Sequence, residues 1–87
     1  MARKLTFTSK GWADYASWAD DRKMLARVNL LIRECLRTPT EGLAKPKPMR
    51  GDLAGAWSRR IDERHRLVYL FTDHELEVIA CRLHTTE

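Results

Sequence analysis

The chain has 87 residues, 44% of them hydrophobic, with 16 Lys and Arg against 12 Asp and Glu; this suits one compact domain spanning residues 1–87 and excludes a second core. Its formal charge of +4 is uneven: eight cations meet four carboxylates over residues 37–66, whereas one cation meets four carboxylates over 67–87. That balance favours an anionic partner such as RNA, DNA or an acidic protein segment, and no apolar run is long enough for a signal peptide or membrane span, so a cytoplasmic protein is expected.

Lys4-Leu5-Thr6-Phe7-Thr8 alternates as a short strand, and Ser9 stands where a helix N-cap would accept from unpaired amides. Trp12, Tyr15, Ala16 and Ala19 then follow helical spacing, as do Leu25, Val28, Leu31, Ile32, Cys35 and Leu36 after the capping pair Asp20-Asp21. Both stripes are expected to form core. The second helix should stop near Thr38-Pro39, since a proline pushes the preceding residue out of helical geometry. Residues 40–55 carry two more prolines and glycines at 42, 51 and 55 without periodicity, a long loop of the kind that usually has a function. Three strand-like segments close the chain, Ala56–Ile61, His65–Phe71 and Leu76–His84, joined by short polar spacers that suit an antiparallel meander. Cys35 and Cys81 lie inside apolar patterns with no CxxC or Cys/His cluster, so they read as buried thiols rather than metal ligands or a disulfide.

Alternation sorts the strand residues by face. It groups Ile79, Cys81 and Leu83 against Ala80, Arg82 and His84, groups Arg66 with Val68 and Leu70, and sets Arg60 opposite Trp57, Arg59 and Ile61. If the helices cover one face, Arg60, Arg66 and His84 converge on the other beside the basic loop. Such a cluster suits RNA cleavage by the 2′-hydroxyl, which needs a base, an acid for the 5′-oxygen and positive charge on the phosphorane, with no metal or other cofactor. His84 fits acid–base work because an unperturbed histidine titrates near about 6.5, and Arg66 or Arg60 offers planar paired donors. Taken singly, a strand arginine is more often solvated or ion-paired, and a histidine near a C-terminus is usually just exposed.

The motifs carry more information jointly. The Trp12–Trp18 helix, Arg-Thr-Pro-x-Glu-Gly at Arg37–Gly42, Lys-Pro-x-Pro at Lys45–Pro48, Leu-x-Gly-x-Trp-Ser-Arg-Arg-Ile at 53–61, His-Arg-Leu-Val-Tyr at 65–69 and Ala-Cys-Arg-x-His at 80–84 together resemble the YoeB (Txe) branch of the RelE/ParE superfamily of type II toxin–antitoxin toxins. The resemblance implies an α+β, RelE-like fold, β-α-α-β-β-β, with two helices packed on one face of an antiparallel sheet. It also implies a ribosome-dependent endoribonuclease (mRNA interferase) that cuts messenger RNA in the A site of the 70S ribosome. The partner implied is a cognate YefM-like antitoxin, with homodimerisation, and with operator DNA reached only through the antitoxin complex. In residues, it implies His84 and Arg66 as catalytic groups, Arg60 and Arg50 as phosphate contacts, and Lys45 and Arg82 as further RNA-binding cations.

Two positions depart from the family pattern. The glutamate between the prolines of the Lys-Pro-Glu-Pro turn is here Lys47, and the aromatic residue that follows the histidine is here Thr85. A protonated lysine has no lone pair with which to accept the 2′-hydroxyl proton. Three readings stay open: Lys47 is the base, as lysines are in relatives of the wider superfamily; His84 is the base; or the replacements attenuate or abolish cutting. The last leaves a ribosome- and antitoxin-binding variant or co-repressor.

Overall fold

The computed structural model describes residues 3–84; the Thr85 position therefore lies outside the described residues. The elements are β1 (Lys4–Phe7), α1 (Ser9–Ser17), α2 (Arg22–Arg37), β2 (Lys47–Pro48), a 3-10 turn (Gly51–Leu53), β3 (Trp57–Arg60), β4 (His65–Phe71) and β5 (Glu75–His84). All five strands join one sheet in the order β1-β5-β4-β3-β2. The α+β class and the terminal meander match the sequence reading, but the sheet is mixed rather than wholly antiparallel. Lys4 to Phe7 pair in parallel with Glu75 to Val78. A parallel neighbour requires a long crossover, and the helices and meander between β1 and β5 provide it. The long loop also contributes β2, where Lys47 and Pro48 pair with Ser58 and Trp57; a proline is tolerated there because β2 is an edge.

Helix α1 corrects the expected core stripe. Its N-cap is Thr8 rather than Ser9: the Thr8 hydroxyl accepts from the Gly11 N–H at 3.0 Å and donates to the Ile79 carbonyl at 3.3 Å. Gly11 and Trp18 are buried, while Trp12 (57% exposed), Ala16 and Ala19 face outward. The reason is close approach, since a Cβ on Gly11 would meet the Val78 carbonyl oxygen at 2.1 Å. A glycine defines the packing line, and hydrophobic periodicity gives it no weight. Trp12 instead packs edge-on to Phe7 and stacks with Tyr15, at 5.7 and 5.8 Å between centroids. Helix α2 behaves as its sequence suggests: the Asp21 carboxylate caps the Met24 N–H at 3.0 Å, Val28, Leu31, Ile32 and Cys35 are buried, and Thr38 ends it before Pro39.

The main core lies between the helices and the sheet, with Trp18, Leu31, Leu67, Tyr69, Val78 and Cys81 among its members. Full burial of an aliphatic side chain of this size contributes about 1.5–3 kcal/mol. A smaller cluster of Ala56, Val68 and Ala80, flanked by Met49 and Leu83, occupies the other face. Strand β5 does not alternate simply, because its register against β4 shifts twice, on either side of Val68. Each bulge inserts an extra residue and changes which side chains share a face. Cys81 therefore belongs to the helix-side core and Leu83 to the opposite cluster, contrary to the simple alternation. The Cys81 N–H, released from the ladder, is bound by the Asp14 carboxylate at 3.1 Å. Burial, reinforced by that carboxylate, pushes the Cys81 thiol up to about 12, and burial pushes Cys35 up to about 11.

Candidate functional site

Arg59, which faces the helices, is fully buried and organises the loop that leads to β2. Its guanidinium donates to the carbonyls of Leu43 (3.0 Å), Glu41 (2.9 Å) and Thr38, and to the Tyr69 hydroxyl at 3.2 Å. Tyr69 in turn donates to the Pro39 carbonyl at 2.6 Å. One buried cation thus gathers residues 38–43 with carbonyl oxygens alone. Gly42, Ala44 and Lys45 all adopt positive φ (110°, 68° and 53°), a turn tight enough to bring the Ala44 carbonyl to the Arg60 N–H at 2.9 Å. The Arg-Thr-Pro-x-Glu-Gly motif is in this way a ligand for Arg59, a role that pairwise alternation could not expose.

On the face away from the helices, the register builds two cross-strand rows. Lys47 pairs with Ser58, Ser58 with Val68 and Val68 with Ala80; Arg60 pairs with Arg66 and Arg66 with Leu83. Lys47, Arg60 and Arg66 consequently share one face. Arg66 is 8% exposed, and its Nη1 donates to the buried Ser58 hydroxyl at 3.4 Å; Arg60 is exposed. Among the described residues neither arginine forms an ion pair with a carboxylate. Like charges directly opposite on a sheet are destabilising, so the pair gains from an anion placed between them. Lys45 and Arg50, both exposed, flank this face in sequence, one at the turn before β2 and the other at the start of the 3-10 turn.

His84 does not join that face, which corrects the expected three-way convergence. Leu83 pairs with Arg66 and His84 with His65, and His84 keeps the parity of the helix-side Val78 six residues earlier, because the two one-residue shifts of β5 cancel. The His84 and His65 rings lie edge-on with centroids 6.0 Å apart, and His65 also meets Trp18 edge-on at 5.2 Å. Arg82 likewise turns to the helix side: its guanidinium lies 3.9 Å over the Trp18 ring and donates to the Ser17 carbonyl and hydroxyl at 3.2 and 2.8 Å. Arg60, Arg66, Leu83 and His84 nevertheless occupy the same end of the sheet, where β3 and β5 finish and β4 begins. His65 and Asp62 belong to this end too. The Asp62 carboxylate accepts from the backbone N–H groups of Arg64 and His65 and contacts His65 Nδ1 at 3.0 and 3.1 Å. Partial burial alone would raise the Asp62 carboxyl, but these bonds outweigh it and hold the group below the usual carboxylate range.

The helices-on-one-face sheet is the RelE-like α+β toxin fold: a solved YoeB/ParE toxin from Agrobacterium tumefaciens matches with a TM-score of 0.87 and 48% identity, over 94% of this chain and 99% of that one. A family model for the YoeB-like toxin of bacterial type II toxin-antitoxin system matches residues 7–85. The Toxin YoeB of Streptomyces coelicolor is 52% identical over 93% of this chain and 98% of its own length. A YoeB chain solved in a YoeB-YefM complex from Staphylococcus aureus matches with a TM-score of 0.85 and 32% identity, over 95% and 98% of the two chains. The chain belongs to the YoeB-like toxins of type II toxin–antitoxin systems.

Proposed function

We propose that this toxin is a ribosome-dependent endoribonuclease that cuts messenger RNA in the A site through attack of the 2′-hydroxyl on the adjacent phosphate. The observation that carries the reading is the Arg60–Arg66 cross-strand pair, two arginines directly in register on the sheet face opposite the helices, with Lys47 on the same face. Planar paired donors suit a phosphate whose negative charge grows as the phosphorane forms. The Ser58 hydroxyl holds Arg66, and the Arg59-bound loop leads into the Lys47 strand. His84 supplies acid–base chemistry from the exposed end of β5, one residue past the partner of Arg66. Among the described residues no strand lies beyond that end, so an RNA chain crossing it meets the two arginines on one side and the imidazole on the other. Lys47 in place of the family glutamate makes His84 the stronger candidate base and attenuates cutting; Arg50 and Lys45 add phosphate contacts.

The partner is an acidic YefM-like antitoxin that neutralises the cationic face until it is released. The S. aureus YoeB-YefM complex and the solved YoeB dimer from the same organism support antitoxin binding and pairing of two toxins as expectations for this chain. Operator DNA is reached only through the antitoxin, and the site of action is the cytoplasm. Toeprinting a defined messenger on programmed 70S ribosomes tests the activity. A new cut at the A-site codon that disappears in His84→Ala is the expected result. Ribosome binding without a cut would leave a toxin-like binder, the alternative that Lys47 and the placement of His84 off the arginine face favour.

A further inference from the structure

His84 ends the last described strand, is exposed and, among the described residues, makes no hydrogen bond through its ring. An imidazole at a strand end has no intrinsic reason to hold one orientation, yet proton transfer requires heavy atoms about 2.6–3.2 Å apart. The only ring packed against it among the described residues is His65, at 6.0 Å between centroids. His65 is itself fixed from two directions. Trp18, buried beneath it, meets it at right angles with centroids 5.2 Å apart. Asp62 holds its Nδ1 through two carboxylate oxygens at 3.0 and 3.1 Å. An ionised carboxylate only accepts, so Nδ1 carries a proton and the ring cannot flip without breaking this pair. Arg82 lies over Trp18 and is anchored to Ser17, which braces the indole from its other contacts.

We propose that His65, oriented by Asp62, is the positioning residue for His84, a wall that keeps the imidazole at the sheet end ready for proton transfer. The proposal rests on the ribonuclease reading and deepens it. The simpler role for Asp62 is to close the β3–β4 turn through the Arg64 and His65 N–H groups, and that role predicts a change in stability alone. Positioning predicts a change in the chemical step with substrate binding intact, because Arg60 and Arg66 lie on the opposite face.

Single-turnover cleavage on programmed 70S ribosomes, measured for the full chain and for His65→Gln, His65→Phe and Asp62→Asn, separates the two. His65→Gln should lower the saturating rate by about 100-fold, the scale of a 1 Å misplacement, while the half-saturating toxin concentration and thermal midpoint stay close to the unsubstituted values. His65→Phe keeps a ring against His84 and should recover part of the rate; Asp62→Asn should fall between them. Normal rates in His65→Gln, with His84→Ala inactive, would overturn the proposal and leave the ribonuclease reading standing. If the unsubstituted protein does not cut, that reading fails, and NMR of the free toxin then decides the geometry. Ring-to-ring NOEs between His65 and His84 that vanish in Asp62→Asn support the ordering, and their absence in the unsubstituted protein overturns it.

Discussion

Replacing Arg59 with methionine tests the claim that one buried cation organises the loop before β2. The guanidinium donates to three backbone carbonyls, at Thr38, Glu41 and Leu43, and to the Tyr69 hydroxyl. Hydrogen bonds from a charged donor contribute about 1.5–3 kcal/mol each, so removal of all of them sets a high upper bound. Two effects reduce it. Glu41 and Leu43 are exposed, and their carbonyls can recover water; methionine also removes the desolvation cost of a buried ion, itself several kcal/mol. The net destabilisation should be about 2–4 kcal/mol, a large part of the roughly 5–15 kcal/mol that holds a small domain together. Arg59→Lys should be nearly as damaging, since one ammonium cannot span carbonyls on both sides of Gly42. Urea unfolding followed by circular dichroism measures the stability. Hydrogen exchange at the Arg60 N–H, bound to the Ala44 carbonyl at 2.9 Å, reports the loop. If Arg59→Met stayed within about 0.5 kcal/mol of the unsubstituted protein with exchange unchanged, the loop would be holding itself and the clamp argument would fail.

Further predictions rest on other contacts. Gly11→Ala places a methyl 2.1 Å from the Val78 carbonyl oxygen, so α1 must lift from β5 and the thermal midpoint should drop by an amount matching about 1–3 kcal/mol; an unchanged midpoint would mean the helix has slack. Arg66→Lys keeps the charge but loses the planar donors, and should slow cleavage by about 100-fold or more, whereas an equal rate would reduce Arg66 to a point charge. The raised Cys35 and Cys81 thiols make stability pH-dependent: the unfolded chain ionises first above its ordinary value of 9.0, so stability is full below that and falls as pH rises toward about 11 and 12. Alanine at both sites should flatten that alkaline fall in urea titrations. Asp62 has the opposite sign, since its lowered carboxyl stabilises the fold above the ordinary carboxylate range and the gain is lost as pH falls through the folded-state value; Asp62→Asn should therefore show a smaller acid-side loss.

Periodicity and turn chemistry were sufficient for α2, for the meander and for the end of the second helix at Thr38, because each depends on local spacing and on Pro39. The placement of β1 beside β5 depends on a crossover, which no local pattern reports. The α1 core line was hidden because Gly11 packs through the absence of a side chain. At the site, the shared face of Arg60 and Arg66 was legible from alternation, since β3 and the start of β4 pair without a bulge. His84 was misplaced because the apolar set Ile79, Cys81 and Leu83 suggested the wrong core face: the two register shifts cancel at the end of β5, so His84 keeps the parity of the helix-side Val78, and only Ala80 and Cys81 between the shifts change face. Nothing in that stretch is a glycine or proline that would flag a bulge. Arg59 and Arg60 are adjacent arginines with opposite fates, one a buried loop clamp and the other exposed. Alternation puts them on opposite faces, and the carbonyls that converge on Arg59 are what make it a clamp.

The central claim is that the sheet face opposite the helices, at the Arg60–Arg66 end, is where the messenger backbone lies. A cryo-EM structure of the His84→Ala protein on a 70S ribosome with uncut messenger tests it directly. The account predicts an A-site phosphate within hydrogen-bond distance of the Arg66 and Arg60 guanidinium groups, with the truncated residue 84 at the same end of the sheet. A messenger backbone lying along α1 and α2, with both arginines facing away from it, would contradict it.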